Sequence, residues 1–165
     1  MKNQRMLDEL TELMRIDVSS GQETEIAECL VKKLKQMGFS ITRDEAGDTF
    51  GGVCGNVLAV REGERDGVVC FCSHMDRVPG GIGIKPVEED GILRSSGDTI
   101  LAADDLSGVA AILEGVRQAI ESGKALPKLE ILFTVGEEAG LYGAKAFDVS
   151  LLMAKTMYVL DSPGR

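Results

Sequence analysis

Residues 68–76 have the sequence VVCFCSHMD, in which the apolar run 68–72 leads directly into a segment that contains a histidine and an aspartate. A short, continuous apolar run of this kind is typical of a strand that is buried on both faces of a sheet. Two later segments, 129–135 and 156–160, are also mostly apolar and are typical of buried strands. The three runs therefore predict the buried centre of a sheet.

Amphipathic helices are predicted around these runs, because apolar residues recur there at helical spacing. The predicted helices span 2–16, 23–37 and 106–121; further predictions are strands at 39–43 and 56–60, a small hairpin at 85–96 and a short extended segment at 100–103. Helices between buried strands favour an α/β fold with a mixed, mostly parallel sheet flanked by helices. The length of 165 residues fits one domain.

Composition and charge exclude several classes of function. The net charge is −9 and aromatic residues make up only 4% of the chain, so neither nucleic acid nor an anionic membrane is an expected partner. No apolar run approaches the ~18 residues that a membrane span needs, and the first residues show no secretory apolar stretch. The four cysteines are expected to be reduced thiols in a cytoplasmic protein, with Cys70 and Cys72 as small core residues.

Side chains that can bind a metal follow each of four apolar segments. His74 and Asp76 follow 68–72, Asp104 and Asp105 follow 99–103, Glu137 and Glu138 follow 129–135, and Asp161 follows 156–160. In open α/β sheets ligands bind beyond the carboxyl ends of the strands, so these groups are expected to meet in one crevice. Packed carboxylates need a compensating cation, and carboxylates with an imidazole suit Zn²⁺, Mn²⁺ or Co²⁺.

Each of these residues also has an ordinary structural interpretation when it is taken alone. A lone histidine is usually hydrogen-bonded, Asp104-Asp105 before a helix is an N-cap signature, Glu137-Glu138 is favoured by a helix dipole, and Asp161 before Ser-Pro-Gly is a turn residue. Four separate coincidences at four segment ends explain the pattern less well than one shared site. The sequence therefore favours a metal site.

Motifs at the same positions resemble a known family of enzymes. The motifs are Ser73-His74-Met75-Asp76, Ala103-Asp104-Asp105 with Gly108, Gly136-Glu137-Glu138-Ala139-Gly140 and Val159-Leu160-Asp161. Together they resemble the co-catalytic zinc metallopeptidases that include aminoacylases, carboxypeptidases and tripeptidase T, and the stretch 84–105 is most similar to the tripeptidase T-like branch. The resemblance covers nearly the whole chain and implies a zinc-exopeptidase-like fold.

The resemblance implies a role for each site residue. The implied metal ligands are His74 and Asp161 for one metal, Glu138 for a second, and Asp104 as a bridge between them. Glu137 is expected to be the general base towards metal-activated water, Asp76 to orient the imidazole, and the Asp104–Asp105 peptide bond to be cis. The implied cofactor is zinc at two sites, with Mn or Co as alternatives. The implied activity is hydrolysis of short peptides by an aminopeptidase or tripeptidase.

The chain also departs from the family. Leu106 stands where the family often has Lys, and Arg77 stands where it often has Thr. Family members are much longer, because they insert a lid domain and then return to the catalytic domain with a second metal-binding histidine. This chain contains one histidine. Residues 1–165 are therefore expected to be the amino-terminal portion of the catalytic domain, truncated before the lid domain and the carboxyl-terminal portion.

Two other functions stay open on this basis. One is an inactive, truncated lobe that binds metal, and the other is an N-acyl-amino-acid hydrolase, because the shared site hydrolyses amides in general. Without the second histidine, one divalent metal is expected to bind better than two, and residues 1–165 alone are expected to hydrolyse peptides slowly or not at all. A short peptide is the expected substrate, and the sequence predicts no particular oligomeric state.

Overall fold

The computed structural model describes residues 4–161. Within that range the helices α1–α4 are Gln4–Met14, Thr24–Gln36, Ala103–Glu121 and Tyr142–Ala146. The strands β1–β7 are Ser40–Arg43, Val57–Arg61, Val68–His74, Pro86–Glu89, Ile92–Ser95, Lys128–Thr134 and Met157–Val159. Short 3₁₀ helices occupy Ala46–Thr49 and Val149–Leu151. The three predicted amphipathic helices and the predicted hairpin, β4–β5, are all present.

Five strands form one sheet in the order β1-β2-β6-β3-β7. β3 is parallel to both of its neighbours, β6 and β7, whereas β2 is antiparallel to both β1 and β6. Of these five described strands, only β2 runs in the reverse direction, which confirms the mixed, mostly parallel sheet. The carboxyl ends of β6, β3 and β7 consequently lie side by side at one edge.

The three longer helices cover one face of the sheet, where the main core lies. α2 contributes to this core the residues that its helical spacing predicts, Ile26, Leu30, Val31 and Leu34. The opposite face is covered by α4 and the segment that follows it. There Leu132 of β6 and Phe147, just after α4, belong to a second, smaller core. Helices thus flank the sheet, as the sequence predicts.

The apolar residues at 99–103 do not form a strand, and the prediction of an extended segment there is wrong. Ala102 has a φ of 57°, and the Ile100 N–H donates to the Gly80 carbonyl at 3.2 Å rather than to a strand of the sheet. Ile100 and Leu101 pack against the main core from a loop. Burial of these side chains, and not strand pairing, therefore explains the apolar run.

Arg77, in the loop after β3, is 1% exposed. Its guanidinium donates to four main-chain carbonyls, at 3.4, 3.3, 2.8 and 3.0 Å from those of Leu13, Met14, Ile16 and Gly81. The last carbonyls of a helix have no hydrogen-bond partners within the helix. At the end of α1 the Arg77 guanidinium is the hydrogen-bond donor to these carbonyls. Arg77 therefore joins α1 to the loop after β3. Leu106, the other departure from the family pattern, is fully buried in the main core.

A network of charged side chains joins α1 to α3. Arg5 donates to both carboxylate oxygens of Glu114 at 2.8 Å. Arg117 donates to Glu114 at 3.0 Å and to Glu9 at 2.8 and 3.0 Å. Glu9 and Glu114 are each 6% exposed. The hydrogen bonds from Arg5 lower the pKa of Glu114 to about 2, although burial opposes this shift.

Glu114→Gln is expected to lower the free energy of unfolding at neutral pH by about 1 kcal/mol, because the Arg5 side chain is partly exposed and solvent weakens the pair. The pKa of Glu114 is lowered in the folded state, so its contribution to stability is complete above its ordinary pKa of 4.5 and is lost as the pH falls towards about 2. Urea denaturation should therefore show the difference between the two proteins shrinking below about pH 4.5. Glu25→Gln, at an exposed position of α2, is the control. A difference that stays constant over this pH range would contradict the prediction.

No helix in residues 4–161 is long and apolar enough to cross a membrane. All four cysteines are free. Cys70 and Cys72 are buried on β3 and lie on the same face of the strand. Burial raises the pKa of both thiols to about 12, so they behave as the core residues that the sequence predicts.

Candidate metal centre

His74 is the last residue of β3, and its side chain is almost fully buried. Its Nε2 atom lies 3.2 Å from Asp104 Oδ1 and 3.9 Å from both Glu137 Oε2 and Asp161 Oδ1. Asp104 stands at the start of α3, while Glu137 and Asp161 come just after β6 and β7. Three other parts of the chain thus bring side chains to the imidazole at the end of β3.

Two clusters of side chains can hold a metal, and they share His74. The first cluster is His74, Asp104 and Glu138, and the second is His74, Glu137 and Asp161; in each, one donor atom per residue lies within 4.8 Å of the others. The structure therefore brings all four predicted ligands together. It also places Glu137, the predicted base, in the second cluster.

Asp76 is fully buried and lies beside the other nitrogen of the imidazole. His74 Nδ1 donates to the Asp76 main-chain carbonyl at 3.0 Å and lies 3.4 Å from Asp76 Oδ1. Burial would raise the pKa of Asp76, but hydrogen bonds from His74, Ser20 and the Glu137 N–H lower it below its ordinary value. Burial would lower the pKa of His74, but Asp76, with the charges of Asp161 and Glu137, raises it to about 9. These contacts fix the orientation of the imidazole, so that Nε2 faces the carboxylates of Asp104, Glu137 and Asp161.

Asp104 and Asp105 are adjacent but have different surroundings. Their φ, ψ values are −83°, 115° and −110°, 35°, so regular helix begins after Asp105, in agreement with the predicted range 106–121. Asp105 accepts from the Gly108 N–H at 3.0 Å and from Ser73 Oγ at 2.6 Å, and burial raises its pKa to about 6. The N-cap interpretation thus holds for Asp105, whereas Asp104 faces the imidazole. The peptide bond between them is cis.

Negative charge is in excess at this edge of the sheet. Four carboxylates face one imidazole; they are those of Asp104, Glu137, Glu138 and Asp161. Burial, followed by the charges of neighbouring carboxylates, raises the pKa of Glu137 and Glu138 above the ordinary value. Among the described residues, no lysine or arginine forms an ion pair with these four. The donor types and the uncompensated charge therefore fit a divalent cation such as Zn²⁺, Mn²⁺ or Co²⁺.

The sequence profile of peptidase family M28 matches residues 56–162, a range that includes every residue of both clusters. The chain belongs to peptidase family M28. The matched range takes in β2, β3, β6 and β7 of the sheet and the helix α3 that carries Asp104. Membership of the M28 family confirms the predicted resemblance to this class of peptidases.

Relatives of this M28 chain include a curated sequence and solved structures. The uncharacterized protein YqjE of Bacillus subtilis (strain 168) is 39% identical over 166 residues, which cover 100% of this chain and 45% of that protein. The aminopeptidase PepT of Bacillus cereus superposes with a TM-score of 0.95 at 39% identity, over 98% of this chain and 44% of that one. A tripeptidase of Staphylococcus aureus superposes with a TM-score of 0.93 at 34% identity, over 98% of this chain and 44% of that one. The chain spans less than half the length of these relatives.

Similarity to an aminopeptidase PepT and a tripeptidase confirms the tripeptidase T-like branch that 84–105 indicates. The separate roles assigned to the site residues stay predictions. Sequence reasoning missed Ser20 and Glu23, between α1 and α2, which contact Asp76 and the Gly136 N–H. The only signal in that stretch, the Ser-Ser-Gly break between two helices, predicts a turn and no contact with the site.

Gly108→Ala is expected to lower the free energy of unfolding of this M28 chain by about 1–3 kcal/mol and to weaken Zn²⁺ binding, because overpacking shifts the start of α3. A Cβ atom at Gly108 would lie 2.4 and 2.5 Å from the carboxylate oxygens of Asp105 and 2.5 Å from the Leu160 carbonyl oxygen.

Gly115→Ala is the matched control in the same helix, since a Cβ atom there meets nothing within 4 Å. It should stabilise the chain by about 0.5–1 kcal/mol, as alanine usually does in a helix. Urea denaturation and calorimetry with Zn²⁺ measure both variants. Equal stability of the two alanine variants would contradict the prediction, because it would show that a methyl group fits at position 108.

Proposed function

We propose that this chain carries the catalytic centre of a metal-dependent aminopeptidase that cleaves short peptides, in particular tripeptides. The observation that carries the proposal is the pair of clusters that share His74 at the carboxyl ends of β3, β6 and β7. Structural similarity to an aminopeptidase and to a tripeptidase, at 39% and 34% identity, supports the substrate class.

The proposed cofactor is zinc at the two sites of the full family arrangement, with Mn²⁺ or Co²⁺ as alternatives, and residues 1–165 alone should hold one ion better than two. By the family resemblance, His74 and Asp161 would hold one ion, Glu138 would hold the other, and Asp104 would contribute to both; all four residues belong to the two clusters. Bound there, the ions would polarise the peptide carbonyl and lower the pKa of a water molecule. The mixed nitrogen and oxygen donors and the excess of carboxylates support this assignment.

Glu137 is proposed to be the general base. Its side chain is 25% exposed, so a substrate can reach it, and burial raises its pKa above the ordinary value. A carboxylate with a raised pKa takes a proton from the attacking water more readily and can then donate it to the departing amine. Asp76 is proposed to act through the imidazole of His74, which it holds in place.

The competing functions are an N-acyl-amino-acid hydrolase and an inactive lobe that binds metal, because the two clusters alone do not select one amide substrate. We also assign the protein to the cytoplasm. The four free cysteines support this location, since paired cysteines predominate in oxidising compartments.

Hydrolysis assays with the protein at its native length, and in parallel with residues 1–165, test the proposal. The protein is treated with a chelator and assayed before and after addition of Zn²⁺, with tripeptides, dipeptides and N-acetyl amino acids as substrates. We expect the amino-terminal residue to be released from tripeptides only after Zn²⁺ is restored. Preferential cleavage of N-acetyl amino acids would favour the acyl hydrolase. Tight Zn²⁺ binding without hydrolysis at native length would favour the inactive lobe.

A further inference from the structure

Three consecutive backbone N–H groups after β6 donate to two buried carboxylates. The Gly136 N–H donates to Glu23 Oε1 at 3.0 Å. The Glu137 N–H donates to Asp76 Oδ1 at 2.9 Å, and the Glu138 N–H donates to Asp76 Oδ2 at 3.1 Å. The turn that carries Glu137 and Glu138 is therefore held through its main chain by side chains from two other parts of the chain.

Glu23 comes just before α2 and is fully buried. Its Oε1 atom also accepts from the Gly21 N–H at 2.8 Å, whereas Oε2 has no hydrogen-bond partner. Among the described residues, no lysine, arginine or histidine forms an ion pair with it. Burial of an unpaired carboxylate is costly, so a residue that only filled space here would be apolar. The contacts with two N–H groups are what this side chain provides.

The turn at Gly136 is tightly packed against the ring of Phe50. Gly136 has a φ of 59°, and a Cβ atom there would meet the ring of Phe50 at 2.7 Å. Glu23 belongs to neither cluster, so it can influence the site only through the groups that it holds, which are the N–H groups of Gly21 and Gly136. Ser20, from the same loop as Glu23, donates to Asp76. The loop between α1 and α2 therefore contacts both carboxylates that hold the turn.

We propose that Glu23 is a positioning residue that anchors Gly136, so that Glu137 and Glu138 keep their places in the two clusters. The importance of those places rests on the proposed function, whereas the anchoring is a property of this chain alone. The essential property of Glu23 is its reach, which means the length of its side chain. This length brings one oxygen atom within hydrogen-bonding distance of two N–H groups, at Gly21 and at Gly136.

Two variants separate the reach of the side chain from its charge. Glu23→Gln keeps an oxygen acceptor at the same distance from the backbone but removes the charge. Glu23→Asp keeps the charge but is shorter by one methylene group. Glu25→Gln and Glu25→Asp are matched controls, because Glu25 is exposed in the first turn of α2. Amide hydrogen exchange of the metal-free protein reports on the Gly136 N–H, and Zn²⁺ calorimetry with the visible spectrum of the Co²⁺ form reports on the clusters.

In Glu23→Asp, after correction for global stability, the Gly136 N–H is expected to exchange at least about tenfold faster, while the amides of 129–133 stay protected. The Zn²⁺ affinity should fall about 10–100-fold, the usual effect of removing a group that orients ligands, and the Co²⁺ spectrum should change. Glu23→Gln should keep the protection of Gly136 and most of the Zn²⁺ affinity. Both Glu25 controls should match the wild type.

The anchoring role is wrong if Glu23→Asp keeps the wild-type exchange at Gly136 and the wild-type Co²⁺ spectrum. It is equally wrong if both Glu23 variants lose global stability without a change confined to the turn. If Glu23→Asp does not fold, Glu23→Gln decides, because loss of Gly136 protection in that variant contradicts the argument from reach. A wild-type protein that binds no Zn²⁺ would overturn the proposed function, while exchange at Gly136 would still decide the role of Glu23.

Discussion

His74→Ala is expected to lower the affinity for Zn²⁺ at least about a hundredfold. His74 is the one residue that both clusters contain, whereas Asp104, Glu137, Glu138 and Asp161 each belong to one. Loss of a group that merely orients a ligand already costs 10–100-fold in metal affinity, so loss of a direct nitrogen ligand should cost more. Calorimetric titration of the chelator-treated protein with Zn²⁺ measures the change.

Folding of the His74 variants has to be measured as well, because the imidazole is buried and donates to Asp76. His74→Gln fills more of the same space than alanine and is the second variant. Asp98→Asn, at an exposed position before α3, is the control. A folded His74→Gln protein that binds Zn²⁺ as tightly as the wild type would show that His74 is not a ligand.

Glu137→Gln is expected to lower kcat for tripeptide hydrolysis by about 10²–10⁴-fold, the usual contribution of a general acid or base. The amide of glutamine keeps the size of the side chain but cannot take a proton from water. Zn²⁺ affinity should change less than about tenfold, which is below the 10–100-fold loss expected when a ligand or a group that orients a ligand is removed. Steady-state kinetics at native length, paired with Zn²⁺ calorimetry, measures the two quantities separately.

Glu138→Gln is the matched variant, because Glu138 is the next residue on the same turn and belongs to the first cluster. It should weaken Zn²⁺ binding more than Glu137→Gln does. The Glu137 carboxylate lies 3.9 Å from His74 Nε2 and belongs to the second cluster, so the comparison of the two variants tests whether Glu137 is a base or a ligand. If Glu137→Gln lowers Zn²⁺ affinity as strongly as Glu138→Gln, Glu137 is a ligand and its assignment as base is wrong.

The sequence predicts the sheet and the residues at its edge because both depend on local patterns. Buried strands are continuous apolar runs, and polar groups directly after them must lie at strand ends. This reasoning places His74, Glu137 and Asp161 correctly, since β3, β6 and β7 are parallel neighbours. Asp104 reaches the same edge, as the sequence predicts, but the segment before it is a loop and not the predicted strand.

Contacts between distant parts of the chain are what the sequence did not predict. Arg77 looks like a departure near the site, but it donates to the carbonyls at the end of α1. Glu23 looks like an ordinary acidic residue before a helix, but it accepts from Gly136, far along the chain. Neither contact leaves a periodic signal, because each depends on how α1 and α2 pack beside the loops after β3 and β6.

Folding of the chain depends on strand pairs that are remote in sequence. Val68 of β3 pairs with Lys128 of β6, and Cys70 pairs with Met157 of β7. Long segments must be closed before such pairs form, and proteins dominated by non-local contacts accordingly fold more slowly than helical ones. Both clusters draw on residues that follow these strands, so neither is complete until the parallel pairs have formed. The rate of metal binding during refolding should therefore equal the rate of the slowest step of sheet assembly. Metal binding thus reports directly on that step.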